Sequence, residues 1–480
     1  MYLMKGNKMN TFTNAVLNQE ARTENGMKAR KSSANKNVDL FYKIGASRGK
    51  NIVPDFVAAL VENKDYALRI AQWTRDVRGG SGERKLFRDI LLYLGKNDKD
   101  AAIALMNKVP EIGRWDDLLV EFEDAELKTY AYDMFRKALD EGNGLAAKWT
   151  PRKGQVAIDM RRHFGWTPKY YRKRLVELTK VVESNMCAKD WDNINFSHVP
   201  SVASSRYRKA FYRNTPKYTE YVEKLTKGDK SVKANASAIY PYDVIKDLFS
   251  YYGVKSTLSK TELDFITAQW EALPNYVGDA SILPLVDVSG SMTSKIKNSN
   301  VNCLMVALSL GLYLADKNKG VFKDTFLTFS SLPELLHLKG DIVQKLEQMQ
   351  TSKWEMSTNL HKAFSKILET AVKGKVPDSE MPKTLLILSD MQFNACVRND
   401  DSAMEMIERK YLEAGYTVPN VVFWNLNSYD NTPVSYDKSG AALVSGFSPS
   451  IVKSVLSSKL ENFTPENVML QTIMNSRYDY

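Results

Sequence analysis

The run SILPLVDVSGSMTSK, Ser281 to Lys295, stays apolar until Asp287 and then sets Ser289 and Ser291 at alternate positions around Gly290. A second apolar run, TLLILSD, also ends on an acid, Asp390. Between them WEMSTNLHKAF places Ser357 and Thr358 directly before a helical pattern. Asp287, Asp390 and the hydroxyls of Ser289, Ser291 and Thr358 are all hard oxygen donors. Such a set suits a divalent cation, Mg²⁺ first and Mn²⁺ or Ca²⁺ as alternatives, with water completing the shell. Few carboxylates among neutral hydroxyls leave the ion electron-poor, ready to accept an acidic oxygen from a partner protein. An Asp-x-Ser-x-Ser alone is commonplace in capping loops. Three segments in this order, two of them ending apolar strands, are more specific.

A second chemistry lies upstream. Residues 141–220 hold 16 Lys and Arg against 7 Asp and Glu, in a chain whose net charge is +11. KWTPRKGQVAIDMRRHFGWTPKYYRKRL interleaves Lys148, Arg152, Lys153, Arg161, Arg162, Lys169, Arg172, Lys173 and Arg174 with Trp149, Phe164, Trp166, Tyr170 and Tyr171. SSRYRKAFYRN adds Arg206, Arg208, Lys209 and Arg213 beside Tyr207 and Tyr212. Cations neutralise phosphate and aromatic faces stack unpaired bases, so RNA is the expected partner. The alternative is a solvated helical face with its aromatics turned into the core. In RDVRGGSGERK, Gly82 is followed by Glu83 and Arg84 where a nucleotide-binding loop needs Lys and then Ser or Thr, so no nucleotide cofactor is expected. Its glycines open a helix, where Arg75, Arg78, Arg84 and Lys85 could hold a phosphate; a purely structural turn is equally compatible.

Other chemistries find no support. The histidines His163, His198, His337 and His361 have no metal-ligand spacing, and Cys187, Cys303 and Cys396 form no paired framework. No further acidic cluster accompanies Asp287 and Asp390, so a nuclease would lack a second metal and a base. The expectation is therefore a protein that is not an enzyme. The longest apolar run, Cys303 to Ala315, is too short to cross a bilayer, and the first residues lack a signal-peptide core. A cytoplasmic location without membrane attachment is expected, with Met9 a second candidate start.

These groups need elements to position them. Residues 1–37 are polar and read as a mobile arm. Over 38–279, apolar residues return every three or four positions, as in RKLFRDILLYLG, which predicts successive amphipathic helices stacked in pairs without a fixed sequence period. From 280 to 480 the strands ILPLVDV, DTFLTFS, TLLILSD, NVVFWNL and AALVS alternate with helical patterns, predicting a doubly wound α/β domain. The class is thus α plus α/β, with Asp287 and Asp390 at the carboxyl edge of one sheet.

The spacing of Asp287, Ser289, Ser291, Thr358 and Asp390 resembles the metal-ion-dependent adhesion site (MIDAS) of von Willebrand factor A domains. The segments RDVRGGSGERKLFRDIL, VPEIGRWDDLL, LSDMQFNA, YLEAGYTVPNVVFWNL and ALVSGFSPS are similar to an uncharacterised family of phage and eukaryotic proteins. That family joins a TROVE-like helical region to a von Willebrand factor A domain, and its layout is distantly similar to the Ro ribonucleoproteins. The resemblance implies a HEAT-like repeat domain over 38–279 that binds small structured or single-stranded RNA. It implies a metal-binding domain over 280–480 whose cation takes an acidic partner.

Overall fold

The computed structural model describes residues 20–480 apart from 251–252, 255–257, 297–300, 330–331, 352–357, 396–400, 428 and 458–462. Residues 1–19 of the arm expected over 1–37, Ser357 and Cys396 lie outside the described residues.

The sheet that carries both acids has strands β5 (Ile282–Asp287), β6 (Thr325–Phe329), β7 (Glu334–His337), β8 (Thr384–Ser389), β9 (Asn420–Asn425) and β10 (Ala441–Ser445). Their order is β10-β9-β8-β5-β6-β7, parallel except for β7, which runs antiparallel at the edge. All residues of β5 and β8 are buried, because helices cover both faces of the sheet. Pro284 falls one residue before β5 begins to pair with β6 at Leu285, so its missing N–H falls outside that ladder. The edge strand β7 and the helix Ile342–Gln350 after it go beyond the elements that periodicity predicts. A four-residue strand that alternates half-buried and exposed carries too short a signal.

The helix Cys303–Lys317 buries twelve of its fifteen residues against the sheet, so its apolar character serves the core. No helix among the described residues is long and apolar enough to cross a membrane. Its close approach to β5 depends on Gly311, where a Cβ would stand 2.4 Å from Val286 Cγ2.

Upstream, helices follow one another from Lys36–Ile44 to Lys260–Glu271, many opened by a side-chain cap such as Asn35, Asn63, Asp98, Asp124, Thr167 or Ser259. A short strand pair, β3 (Phe249–Ser250) with β4 (Gly253–Val254), precedes the last of them. Most apolar residues of this half join those of the sheet in one continuous core. Phe196, Phe211, Tyr218, Tyr221 and Phe265 form a smaller separate one.

The helical half also returns on itself. Tyr240 Oη donates to the Ser81 carbonyl at 3.0 Å, and Gly82 has φ +69° with no room for a Cβ, which would lie 2.0 Å from that hydroxyl. The chain thus leaves on helices at Gly82 and rejoins the same point about Tyr240. The first helix, Lys36–Ile44, is itself packed on β10, where Ser445 Oγ donates to the Phe41 carbonyl at 2.8 Å.

Residues 20–35 differ from the expected mobile arm. They form a hairpin, β1 (Glu20–Arg22) with β2 (Lys28–Arg30), followed by a segment seated on the α/β half. Arg30 and Thr432 exchange backbone hydrogen bonds of 2.9 and 2.8 Å, and Tyr436 N donates to the Ser33 carbonyl. The physical reason is that Met27 and Ala29 bury, while the polar residues around them satisfy backbone groups of the sheet loops. Composition cannot distinguish such a docked polar strand from a free one.

Gly311→Val is expected to destabilise the fold by about 1–3 kcal/mol in chemical denaturation, the range for overpacking a filled core. Adding Val286→Ala removes the atom that clashes, and the double variant should regain part of that loss.

Candidate functional site

Asp287 ends β5 and Asp390 follows the last residue of β8, and these strands are parallel neighbours. From this point the sheet is wound in opposite directions, which opens a crevice at the carboxyl edge. Asp287 and Asp390 are 0% and 1% exposed. Around Asp287, Ser289 N donates to Oδ1 at 2.9 Å and Ser389 Oγ donates to Oδ2 at 2.5 Å. Ser289 Oγ and Ser291 Oγ are 3.1 Å apart. Asp390 Oδ1 accepts from Gln392 N at 3.3 Å, while its buried Oδ2 has no hydrogen-bond partner. Thr358 is buried before the helix Leu360–Gly374, and its carbonyl accepts from Asn394 N at 3.0 Å.

Burial, and then the charge of Asp390, push the Asp287 carboxyl up to about 7 against the pull of the Ser389 and Ser289 hydrogen bonds. Asp390 is also raised, first by burial, with the Ser291 hydroxyl acting in the opposite direction. Two acids buried in one crevice resist full ionisation together. An orphaned carboxylate oxygen beside serine hydroxyls fits a hard cation, which would supply the missing positive charge. The described residues contain no group of three or more His, Cys, Asp or Glu side chains of metal-ligating geometry. Further ligands would therefore be hydroxyls, carbonyls or water.

The rim recruits residues from far along the chain. Lys50 stands 5.2 Å from the Tyr429 ring and within electrostatic reach of Asp390, Asp430 and Glu24. Cys303 opens the neighbouring helix; its thiol donates to the Leu426 carbonyl at 3.5 Å and is pushed up to about 12, chiefly by burial. Sequence reasoning missed Ser389, Gln392, Glu24 and Lys50. Ser389 had a signal, as the polar neighbour of Asp390 at a strand end. The others had none, because sequence separation hides their approach.

The basic residues divide. Arg75 is 1% exposed and its Nε donates to Asp117 Oδ2 at 2.6 Å, in a buried network that includes Arg88. Arg208 is 2% exposed and paired with Asp247. Both guanidinium groups serve the interior, and neither faces a ligand. Arg78, Arg84 and Lys85 are exposed, Lys85 with an Asp89 partner at 2.5 Å. The RGGSGER turn itself is occupied by structure. The Glu83 carboxylate sits buried there against Arg48 at 2.6 Å, and Tyr240 closes the turn.

Lys148 is half-buried beside Glu183, Arg161 donates to the Trp166 carbonyl at 3.0 Å, and Arg152 donates to Thr179. Lys153, Arg162, Lys169, Arg172, Lys173, Arg206 and Lys209 are exposed and have no acidic partner among the described residues. Arg213 is exposed and donates to the Lys209 carbonyl. Of the interleaved aromatics, Phe164, Trp166 and Tyr171 are buried against one another, and only Tyr170 and Tyr212 are exposed. The exposed cations occupy two places. Those on Gln155–His163 and Pro168–Leu178 border the large core, and those on Ser201–Asn214 border the small one.

Residues 159–283 match the model of a domain of unknown function (DUF2828), and residues 281–476 match a second domain of unknown function (DUF7788). The two matches meet where β5 begins. The Ro (RSR) protein of Deinococcus radiodurans is similar over 88% of this chain and 90% of its own, at 12% identity and a TM-score of 0.37, too loose a likeness to carry an argument. The uncharacterized protein L728 of Acanthamoeba polyphaga mimivirus is 31% identical over 94% of this chain and 86% of its own length. Near-complete coverage of both chains at that identity places the helical half and the α/β half together in one lineage, and this chain belongs to the family of protein L728.

Proposed function

We propose that the chain is a non-catalytic binding protein that holds a divalent cation in a von Willebrand factor A-type domain and RNA on its helical half. The orphaned, buried Oδ2 of Asp390 beside Asp287 carries the cation reading. A buried carboxylate oxygen with no donor is costly unless a cation or water satisfies it. Asp287, Ser289, Ser291, Thr358 and Asp390 would hold Mg²⁺ directly or through water. The ion would balance the two acids and offer an open position. The RNA reading rests on the exposed, unpaired cations of Gln155–His163 and Pro168–Leu178 with Tyr170 among them. Unneutralised cations on neighbouring short helices attract phosphate, and one exposed aromatic offers a stacking face. Docking of an acidic protein partner on the cation is the second reading, favoured by a donor set with only two carboxylates.

In chelator, the Asp287 carboxyl is held neutral to higher pH in the folded chain than in the unfolded one. The stability this contributes is complete below the ordinary carboxylate range and is lost as pH rises toward about 7. Melting curves in chelator should therefore fall across that window. Added Mg²⁺ should restore stability near pH 8 and do little near pH 5, because the ion binds the ionised acids. Asp390→Asn should abolish the Mg²⁺ response; an unchanged response would remove this acid from the site.

RNA binding should weaken steeply with salt. Reversing Arg162, Arg172 and Lys173 to Glu should lower the logarithmic salt slope by about 0.7 for each phosphate of single-stranded RNA that the variant no longer neutralises. Equal affinity and slope for the variant would move RNA off this face.

A further inference from the structure

The segment that follows Asp390 turns on an uncommon backbone. Met391 has φ +64°, in the left-handed region that residues with a side chain rarely enter, and it is buried. From this turn the segment's polar groups run in two directions. Toward the acids, Met391 N donates to Ser389 Oγ at 2.9 Å, and the same hydroxyl donates to Asp287 Oδ2. Gln392 N donates to Asp390 Oδ1, and Asn394 N donates to the Thr358 carbonyl. The stretch 389–394 thus ties Asp287, Asp390 and Thr358 together.

Away from the acids, the tip of the β1–β2 hairpin takes up the remaining groups. Thr23 Oγ1 donates to the Phe393 carbonyl and Asn25 Nδ2 to the Gln392 carbonyl, both at 2.6 Å. Ala395 N donates to the Asn25 carbonyl at 2.9 Å, and Glu24 N donates to Gln392 Oε1 at 2.7 Å. Gln392 and Phe393 are buried, so their backbone groups need partners within the protein. A left-handed turn without glycine persists only where its surroundings over-determine it. The hairpin tip supplies that constraint from outside the sheet.

We infer that Thr23 and Gln392 are positioning residues of the cation site: the N-terminal hairpin clamps the Met391 turn and so keeps Asp390 and Thr358 together. This rests on the cation reading above, and neither residue's side chain is a ligand in it. Groups that orient metal ligands commonly govern affinity by about tenfold or more. The coupling is reciprocal, so an ion that prefers the clamped site also holds the hairpin down.

The test uses the full chain and Mn²⁺ alone, with affinity read by calorimetry and the hairpin by trypsin cleavage after Arg22, Lys28 and Arg30. Thr23→Val and Gln392→Met each remove one tie at nearly constant side-chain size. Each should bind Mn²⁺ about tenfold more weakly and should be cleaved faster in the hairpin. Thr23→Ser keeps the hydroxyl and should match wild type, as should Glu20→Gln at the far end of β1. Saturating Mn²⁺ should slow cleavage of the wild-type hairpin by about the same tenfold. A seat that is structural alone would leave cleavage indifferent to Mn²⁺. Wild-type affinity in one variant would strike that residue from the clamp. Wild-type affinity in both, or cleavage independent of Mn²⁺, would overturn the clamp; Mn²⁺ binding abolished by Asp287→Ala would still leave the cation site standing. Absence of Mn²⁺ binding to the wild-type chain would overturn both.

Discussion

Two carboxylates buried side by side at a strand switch point are the constraint around which this molecule is arranged. Like charges in a buried crevice repel, and each loses hydration that water would have given it. Asp287 is steadied by a serine hydroxyl from the neighbouring strand and by the amide of Ser289. Asp390 is steadied by the Ser291 hydroxyl and the Gln392 amide, and its buried Oδ2 is left without a hydrogen-bond partner. The strands that deliver them are wholly buried, so neither acid can swing out to solvent without breaking the sheet. The close seat of the helix Cys303–Lys317, which depends on Gly311, is part of the same confinement.

The helical half is not an independent module hung on this sheet. Its first helix lies on β10, and its chain closes between Ser81 and Tyr240. Asp76 at the end of the helix Lys64–Arg75 receives Arg477 Nη2 at 3.0 Å and Tyr478 Oη at 3.1 Å from the C-terminal end. Gln72 Nε2 donates to the Tyr478 carbonyl at 3.0 Å. The far end of the helical half is anchored to the α/β half too, where Trp270 Nε1 donates to Asp316 Oδ2 at 2.9 Å, and Lys50, in the loop before the helix Val53–Glu62, is within electrostatic reach of Asp390. The exposed basic helices lie in the excursion between those anchors. RNA held there and a cation held at the sheet edge would act on one connected body, because a single apolar core spans both halves.

Much of this was legible residue by residue. Apolar runs ending in Asp287 and Asp390 read correctly as strand ends on one edge of the sheet, since a strand buried on both faces has no polar alternation to confuse it. The helical texture of the first half followed from three- and four-residue spacing and from capping residues such as Asp98 and Ser259. The basic face was only half legible. The charge count put Arg208 beside Arg162 and Arg172, and the glycine turn offered Arg75 to a phosphate, yet Arg75 and Arg208 are spent on Asp117 and Asp247 inside the fold. Likewise Phe164, Trp166 and Tyr171 read as stacking faces and turned out to pack on one another. A count of charges and rings carries no information about which way a helix turns them.

The sequence by itself determined the order of elements, the class of the α/β half and the hard-oxygen character of the site, because periodicity and residue chemistry are local properties. Tertiary structure alone decided which cations face water, that a polar N-terminal stretch docks as a hairpin, and that the tip of this hairpin is tied through Gln392 to an acid hundreds of residues away. Those outcomes depend on pairing between surfaces distant in the chain, where burial and the satisfaction of backbone groups outweigh local preference.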